Sequence, residues 1–136
     1  MQKVLLIIED DPYVQRFYER LFRWHDYAVE IAKDGNEGIT KAKALMPILI
    51  LLDIVLPNMN GIQVLEKLKS DPHTKGLSVV MLTNIDEDEM VKKAADMGAL
   101  DFIVKSSASE EDLLTIVDKY FKQEQEKSVA NTSDIS

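Results

Sequence analysis

Apolar residues along this chain arrive in two rhythms. Short unbroken runs, such as VLLII at 4–8 and ILILL at 48–52, alternate with stretches in which apolar side chains recur every three or four positions. The runs predict buried strands and the stretches predict amphipathic helices. Their alternation is the pattern of βαβ units around a parallel sheet. Strands are predicted at 4–8, 27–31, 48–52, 77–82 and 100–104. The 48–52 run is apolar on both faces, which places it centrally in the sheet.

Helix signals fall between the strands. Asp11 followed by Pro12 reads as an N-cap with proline at the first helical position, and Val14, Phe17, Tyr18, Leu21 and Phe22 form one stripe behind it. Asp34-Gly35-Asn36 turns the chain into a second helix that stops before Pro47. Residues 57–61 form a turn into a short third helix at 62–69, closed by the loop SDPHTKG. Asp86 and Glu89 make a capping-box pattern for a fourth helix ending near Gly98. Ser109 caps a fifth, with the stripe Leu113, Ile116, Val117, Tyr120 and Phe121. From Gln123 onward no apolar periodicity remains, which predicts a frayed or disordered tail. The expectation is one doubly wound α/β domain over 1–122 and a polar tail over 123–136.

Composition narrows the function classes. A net charge of −8, from 24 acidic and 16 basic residues, disfavours direct binding to nucleic acid or to anionic lipid. With no cysteine, thiolate metal sites, disulfides and thiol nucleophiles are excluded. No apolar stretch approaches the roughly 18 residues of a membrane span. The first apolar run is five residues, short of the about 7 that a signal-peptide core needs. A cytoplasmic location is the expectation.

In open α/β sheets ligands bind beyond the carboxyl ends of the strands. The first strand ends in Glu9, Asp10 and Asp11, the third in Asp53, the fourth in Thr83 and Asn84, and the fifth in Lys105. Lys33 follows the second strand, which belongs at the sheet margin. Two carboxylates about 4 Å apart repel by roughly 4 kcal/mol at an effective dielectric near 20. Such a cluster needs a cation, a proton or a paired lysine. Oxygen donors without imidazole or thiolate suit Mg²⁺, with Mn²⁺ as the second choice. Asp53 alone projects from the central strand, which fits a nucleophile of the aspartyl-phosphate type. Asp11 is explained by capping alone, and the acidic run 86–89 by the dipole at a helix start. His25 and His73 fall away from the cluster, and Trp24 and Met97 read as packing or surface residues.

The acid pair Glu9-Asp10, Asp53 with Pro57 and Gly61 in DIVLPNMNG, Thr83, and Lys105 in GALDFIVKS resemble, in that order, the receiver domain of two-component response regulators, the CheY-like family. The resemblance spans roughly residues 3–122. It implies a flavodoxin-like (βα)5 fold with sheet order 2-1-3-4-5. It further implies that Asp53 accepts a phosphoryl group from a sensor histidine kinase or a histidine phosphotransfer protein. Mg²⁺ would be held by Asp10, Asp53 and the Val55 carbonyl, with Glu9 acting through water. Thr83 and Lys105 would contact the phosphoryl oxygens, and Thr83 with Phe102 would form the switch. The surface of the fourth helix, fifth strand and fifth helix would meet a downstream protein partner. On this reading the chain catalyses only its own phosphorylation and dephosphorylation. It would be a stand-alone receiver or the N-terminal receiver of a longer protein.

Two departures stand out. The family carries a proline after the lysine, often in a cis peptide, and this chain has Ser106. A cis bond before a non-proline residue costs about 3 kcal/mol, which favours trans here. The basic residues of one dimerising DNA-binding subgroup are absent at the matching positions, Val91 and Thr115. The fourth helix, with Ala94 and Ala95 facing inward, is expected to be loosely held. Val55 and Ile85 are apolar and flank the path of hydrolytic water, so slow phosphate loss is expected.

Other readings fit less well. A flavodoxin-like cofactor binder would place EDDP against an anionic phosphate. A haloacid-dehalogenase-type phosphatase normally has a second aspartate where this chain has Val55. A degenerate receiver, acting as a phosphorylation-independent binding module, would require Ser106 to have disabled Lys105.

Overall fold

Alternation within the aliphatic runs sends successive side chains to opposite faces of one sheet, and both faces are covered. The computed structural model describes residues 3–84 and 88–135. In chain order the elements are β1 (Val4–Ile8), α1 (Pro12–Trp24), β2 (Ala28–Ala32), α2 (Gly35–Leu45), β3 (Leu49–Asp53), α3 (Gly61–Ser70), β4 (Val79–Thr83), α4 (Asp88–Asp96), β5 (Asp101–Val104) and α5 (Glu110–Ile135). The strands are parallel in the order β2-β1-β3-β4-β5, as expected for the (βα)5 fold.

Leu5, Ile7, Leu49, Leu51, Val80 and Leu82 face α1 and α5, where they meet Tyr18, Leu21, Phe22, Leu113, Val117 and Phe121. The alternate residues Leu6, Ile8, Ile50, Leu52, Val79 and Met81 face α2, α3 and α4. Every residue of β3 is buried, which explains its unbroken apolar run.

The caps follow local chemistry. The Asp11 carboxylate accepts from the amides of Tyr13 and Val14 at 2.8 and 3.3 Å. Asp34 caps α2, and Met46 closes it in the left-handed region at φ 45°. Asn60 and Gln63 form a reciprocal capping box on α3 that the turn reading of 57–61 did not include. Ser109 and Asp112 do the same for α5.

Four expectations change. The strands predicted at 27–31, 48–52 and 77–82 each end one residue later, because the ladder runs on to Ala32, Asp53 and Thr83, and the last of them begins only at Val79. Phe17, assigned to the buried stripe of the first helix, is 41% exposed, since Val14, Tyr18, Leu21 and Phe22 already fill the contact with the sheet. In α4 only Ala94 of the two alanines is buried, and Ala95 lies on the solvent side. The segment expected to be a disordered tail continues α5 to Ile135. Gln, Glu and Lys at 123–127 are good helix formers, and extending an existing helix carries no nucleation cost. The Asp86 half of the capping box on the fourth helix, and Ile85, lie outside the described residues. Among the described residues no helix is long and apolar enough to cross a membrane.

Candidate functional site

The carboxyl ends of β1, β3, β4 and β5 converge on one cavity of about 370 Å³, lined by Glu9, Asp10, Asp53, Asn84 and Lys105 among others. Each strand positions its residue through the ladder. The Glu9 amide continues the pairing of β1 to the Ala32 carbonyl at 2.9 Å. Asp53 is the last residue of the central strand and pairs in register with Leu82. The Lys105 amide donates to the Thr83 carbonyl at 2.7 Å, fixing the lysine one residue beyond β5.

Glu9 and Asp53 are almost wholly buried, at 1% and 3% exposure, whereas Asp10 is exposed. One carboxylate oxygen from each of the three lies within 4.8 Å of the others. Lys105 Nζ donates to Glu9 Oε2 and to Asp53 Oδ2, both at 2.8 Å. The other Asp53 oxygen accepts from the Val55 amide at 3.1 Å. One ammonium thus serves two buried carboxylates.

This arrangement has electrostatic consequences. Burial pushes the Glu9 carboxyl up to about 8, helped by its hydrogen bond and charge contact with Asp53 and opposed by Lys105. Burial acts to lower Lys105, but its hydrogen bonds to Asp53 and Glu9 prevail and raise it to about 12. Burial likewise raises Tyr18, on the wall of the same cavity, to about 12. The cluster therefore favours taking up positive charge.

The backbone around Asp53 is tightly folded. The Gly61 amide donates to the Ile54 carbonyl at 2.7 Å, and a Cβ at Gly61 would stand 2.2 Å from the Asp53 carbonyl oxygen. That close approach is why the turn ends in glycine. Val55 projects from the loop and is 62% exposed.

Glu9, Asp10, Asp53 and Lys105 are thus brought together. Thr83 is buried at the end of β4. Phe102 is half-buried and packs with the layer that contains Met81 and Ala94. Lys33 follows the edge strand β2 and does not line the cavity. The described residues contain no cis peptide bond, so Lys105–Ser106 is trans. Sequence reasoning missed two participants. Gln15 Nε2 donates to the Glu9 carbonyl at 2.6 Å, and Tyr18 supplies part of the cavity wall. Both lie on α1 within two turns of the acid pair, and that proximity was the available signal.

Comparison with known proteins gives a consistent picture. Residues 5–118 match the family model described as response regulator receiver domain. Hybrid signal transduction histidine kinase D of Dictyostelium discoideum is 35% identical over 136 residues, covering 95% of this chain and 9% of that protein. The DNA-binding response regulator MtrA of Mycolicibacterium smegmatis is 32% identical over 105 residues, covering 77% of this chain and 45% of that protein. The chain therefore spans less than half the length of either relative. A CheY-like receiver domain structure from Methanospirillum hungatei superposes with a TM-score of 0.85 at 28% identity, covering 93% of this chain and 99% of that one.

Proposed function

Since the chain belongs to the response regulator receiver domain family, we propose that it is the phosphoacceptor switch of a two-component or phosphorelay system and that Asp53 is the acceptor. The observation that carries this reading is the position of Asp53. It is buried at the end of the central strand, with one oxygen held by the Val55 amide and the other by Lys105.

In the proposed step an Asp53 carboxylate oxygen attacks the phosphorus of a partner's phosphohistidine. The P–O bond forms as the P–N bond breaks, and the imidazole nitrogen leaves with the bonding pair. Lys105 stays within reach of the oxygens on which charge accumulates, and Thr83 supplies a hydroxyl beside them. Besides this self-phosphorylation and the loss of the group to water, no catalysis is assigned to the chain.

The donor set fits a hard divalent cation. Three carboxylates converge with one ammonium between them, and among the described residues no histidine or cysteine joins the cluster, which suits Mg²⁺ or Mn²⁺. Asp10, Asp53 and the Val55 carbonyl would hold the ion directly and Glu9 through water. Such an ion offsets the charge of the transferring phosphoryl group.

Phosphorylation adds charge next to Thr83 and Lys105, draws Thr83 inward, and lets half-buried Phe102 move into the vacated space. The readout surface is that of α4, β5 and α5. Leu100 and Val104 are exposed there, at 41% and 40%, beside a groove of about 350 Å³ between β5 and α5. The donor is a sensor histidine kinase or a histidine phosphotransfer protein, and the receptor of the signal is a protein. The net charge of −8 disfavours direct contact with nucleic acid. No observation favours the phosphorylation-independent module, because Lys105 reaches Asp53 despite Ser106.

The test is incubation with Mg²⁺ and acetyl phosphate, followed by intact-mass measurement. A gain of one phosphoryl group that disappears in Asp53→Ala is expected. A gain that survives that substitution, or none in the wild type, overturns the assignment.

A further inference from the structure

Each residue of a parallel strand turns its N–H and C=O to the same side, alternately toward one neighbour and the other. β2 is an edge strand, with β1 on one side and no strand on the other. The Glu9 amide donates to the Ala32 carbonyl at 2.9 Å, so Ala28, Glu30 and Ala32 present their backbone groups to β1. Val29 and Ile31 therefore turn theirs outward, to the open edge. An edge of this kind is a template for pairing with another chain.

Both outward carbonyls are taken by cations. Arg23 Nη2 donates to the Val29 carbonyl at 3.0 Å, coming from α1 on one face of the sheet. Lys41 Nζ donates to the Ile31 carbonyl at 2.6 Å, coming from α2 on the other face. Each cation is in turn held by carboxylates, Arg23 by Glu19 at 3.8 Å and Lys41 by Glu37 at 3.4 Å and Glu30 at 3.6 Å. A strand laid along this edge would have to displace both cations or take them out of water, and either is costly. Glu30 sits between the two outward residues. In an antiparallel pairing of two copies that joins Val29 to Ile31, Glu30 stands opposite its own counterpart, and like charges in that position destabilise the pair. At the other edge, β5, no side chain among the described residues donates to the outward carbonyls of Asp101 and Ile103. The capping is therefore particular to β2.

We infer that Arg23, Lys41 and Glu30 together hold the β2 edge shut against a second copy of this chain. Two copies of one strand pair antiparallel about a two-fold axis, each supplying the donors and acceptors that the other presents, and would join the two sheets into one. The strand itself invites this, since Ala28, Val29, Ile31 and Ala32 are all apolar and Glu30 is its one charge. This edge lies across the sheet from the proposed readout surface, and its closure does not depend on phosphorylation of Asp53.

The test removes the three side chains in steps and reads self-association by sedimentation from about 10 µM to about 1 mM, with amide exchange followed at Val29 and Ile31. In the wild type these two amides should exchange equally fast across that range. Arg23→Met with Lys41→Met should associate as concentration rises, and both amides should slow at least about tenfold in the associated form. Adding Glu30→Thr should tighten the association several-fold. Lys67→Met with Lys75→Met removes the same charge from exposed positions off the edge and should behave as the wild type. Arg23→Lys with Lys41→Arg keeps both cations and should do so too. Lys41→Met alone leaves the α1 side intact. It should associate more weakly with the same two amides slowed, and it decides the question if the double variant does not fold. A folded variant lacking these cations that stays monomeric throughout overturns the proposal. Association that leaves the two amides unprotected, or that Lys67→Met with Lys75→Met matches, belongs to another surface or to the lost charge and likewise overturns it. Slowing of the two amides with concentration in the wild type would show that the edge is already open, and overturns it as well.

Discussion

Lys105 Nζ stands 2.8 Å from Asp53 Oδ2 although the peptide bond after Lys105 is trans and leads into serine. The amide of Lys105 is anchored on the Thr83 carbonyl, so the strand, rather than the residue that follows, fixes the lysine's reach. The same ammonium also holds Glu9.

Lys105→Met removes the cation shared by two buried carboxylates. In metal-free buffer at pH 8 we expect a loss of about 2–3 kcal/mol in urea unfolding, below the roughly 3–5 kcal/mol that breaking a buried ion pair costs, because Glu9 can take up a proton. Added Mg²⁺ should recover part of the loss. Lys33→Met, just after the edge strand and away from the cavity, should stay within about 0.5 kcal/mol of wild type. Equal losses in the two variants would show that the pairing contributes nothing.

Glu9 sets a pH dependence. Its carboxyl rises from 4.5 to about 8 on folding, chiefly through burial. Between those values the folded protein holds a proton that the unfolded chain lacks, so stability falls as pH rises across that window and levels off above it. In EDTA the urea midpoint of the wild type should be higher at pH 5.5 than at pH 8.5. Glu9→Gln should flatten the dependence and raise the midpoint at pH 8.5. An increase in wild-type stability from pH 5.5 to 8.5 would contradict the assignment.

The three consecutive acids after β1 should separate cleanly by mutation. Asp11→Ala deletes the cap on the amides of Tyr13 and Val14 and should cost about 1 kcal/mol without changing the Mg²⁺ requirement for phosphorylation. Asp10→Asn relieves an exposed like charge and should leave stability unchanged or slightly higher. It should weaken Mg²⁺ at least about tenfold, measured as the Mg²⁺ concentration for half-maximal phosphorylation by acetyl phosphate.

Much of this was legible in the sequence because the sheet is simple. A strand buried on both faces reads as an unbroken aliphatic run, as in β1 and β3, and capping residues such as Asp11, Asp34 and Ser109 mark the helix starts. Polar groups at successive strand ends converge in a parallel sheet, so Glu9, Asp10, Asp53 and Lys105 could be grouped before any geometry was known. What could not be read was competition between side chains for the same space. Phe17 fits the buried periodicity of α1 as well as Phe22 does, and only the packing of the sheet decides which is covered. The one-residue offset of β3 has a similar origin, because pairing with Leu82 carries the ladder on through Asp53. The continuation of α5 past Gln123 was missed because periodicity reports burial, and a helix that leaves the core has none.

Gly61→Ala would put a methyl group 2.2 Å from the Asp53 carbonyl oxygen and 2.7 Å from Ile54 Cα. Backbone cannot yield there as a flexible side chain could. A destabilisation of about 2–3 kcal/mol is expected, with a slower phosphoryl gain at Asp53 because the loop carrying Val55 must shift. Gly76→Ala, whose Cβ would meet nothing within 4 Å, is the control and should be close to neutral.

If Asp53 takes up the phosphoryl group as proposed, the lifetime of that aspartyl phosphate would follow from what stands at the mouth of the cavity. Val55 lines it and is 62% exposed, and an isopropyl group can neither accept a proton from an incoming water nor orient one. The phosphoryl group should therefore persist for minutes or longer in Mg²⁺ at neutral pH, followed by intact mass after removal of the donor. Val55→Glu should shorten that lifetime several-fold by placing a water-orienting carboxylate at the same point. Its stability should change little, because the side chain already faces solvent. Decay of the wild-type phosphoprotein within seconds, or a Val55→Glu lifetime equal to the wild type's, would rule out Val55 as the residue that keeps hydrolysis slow.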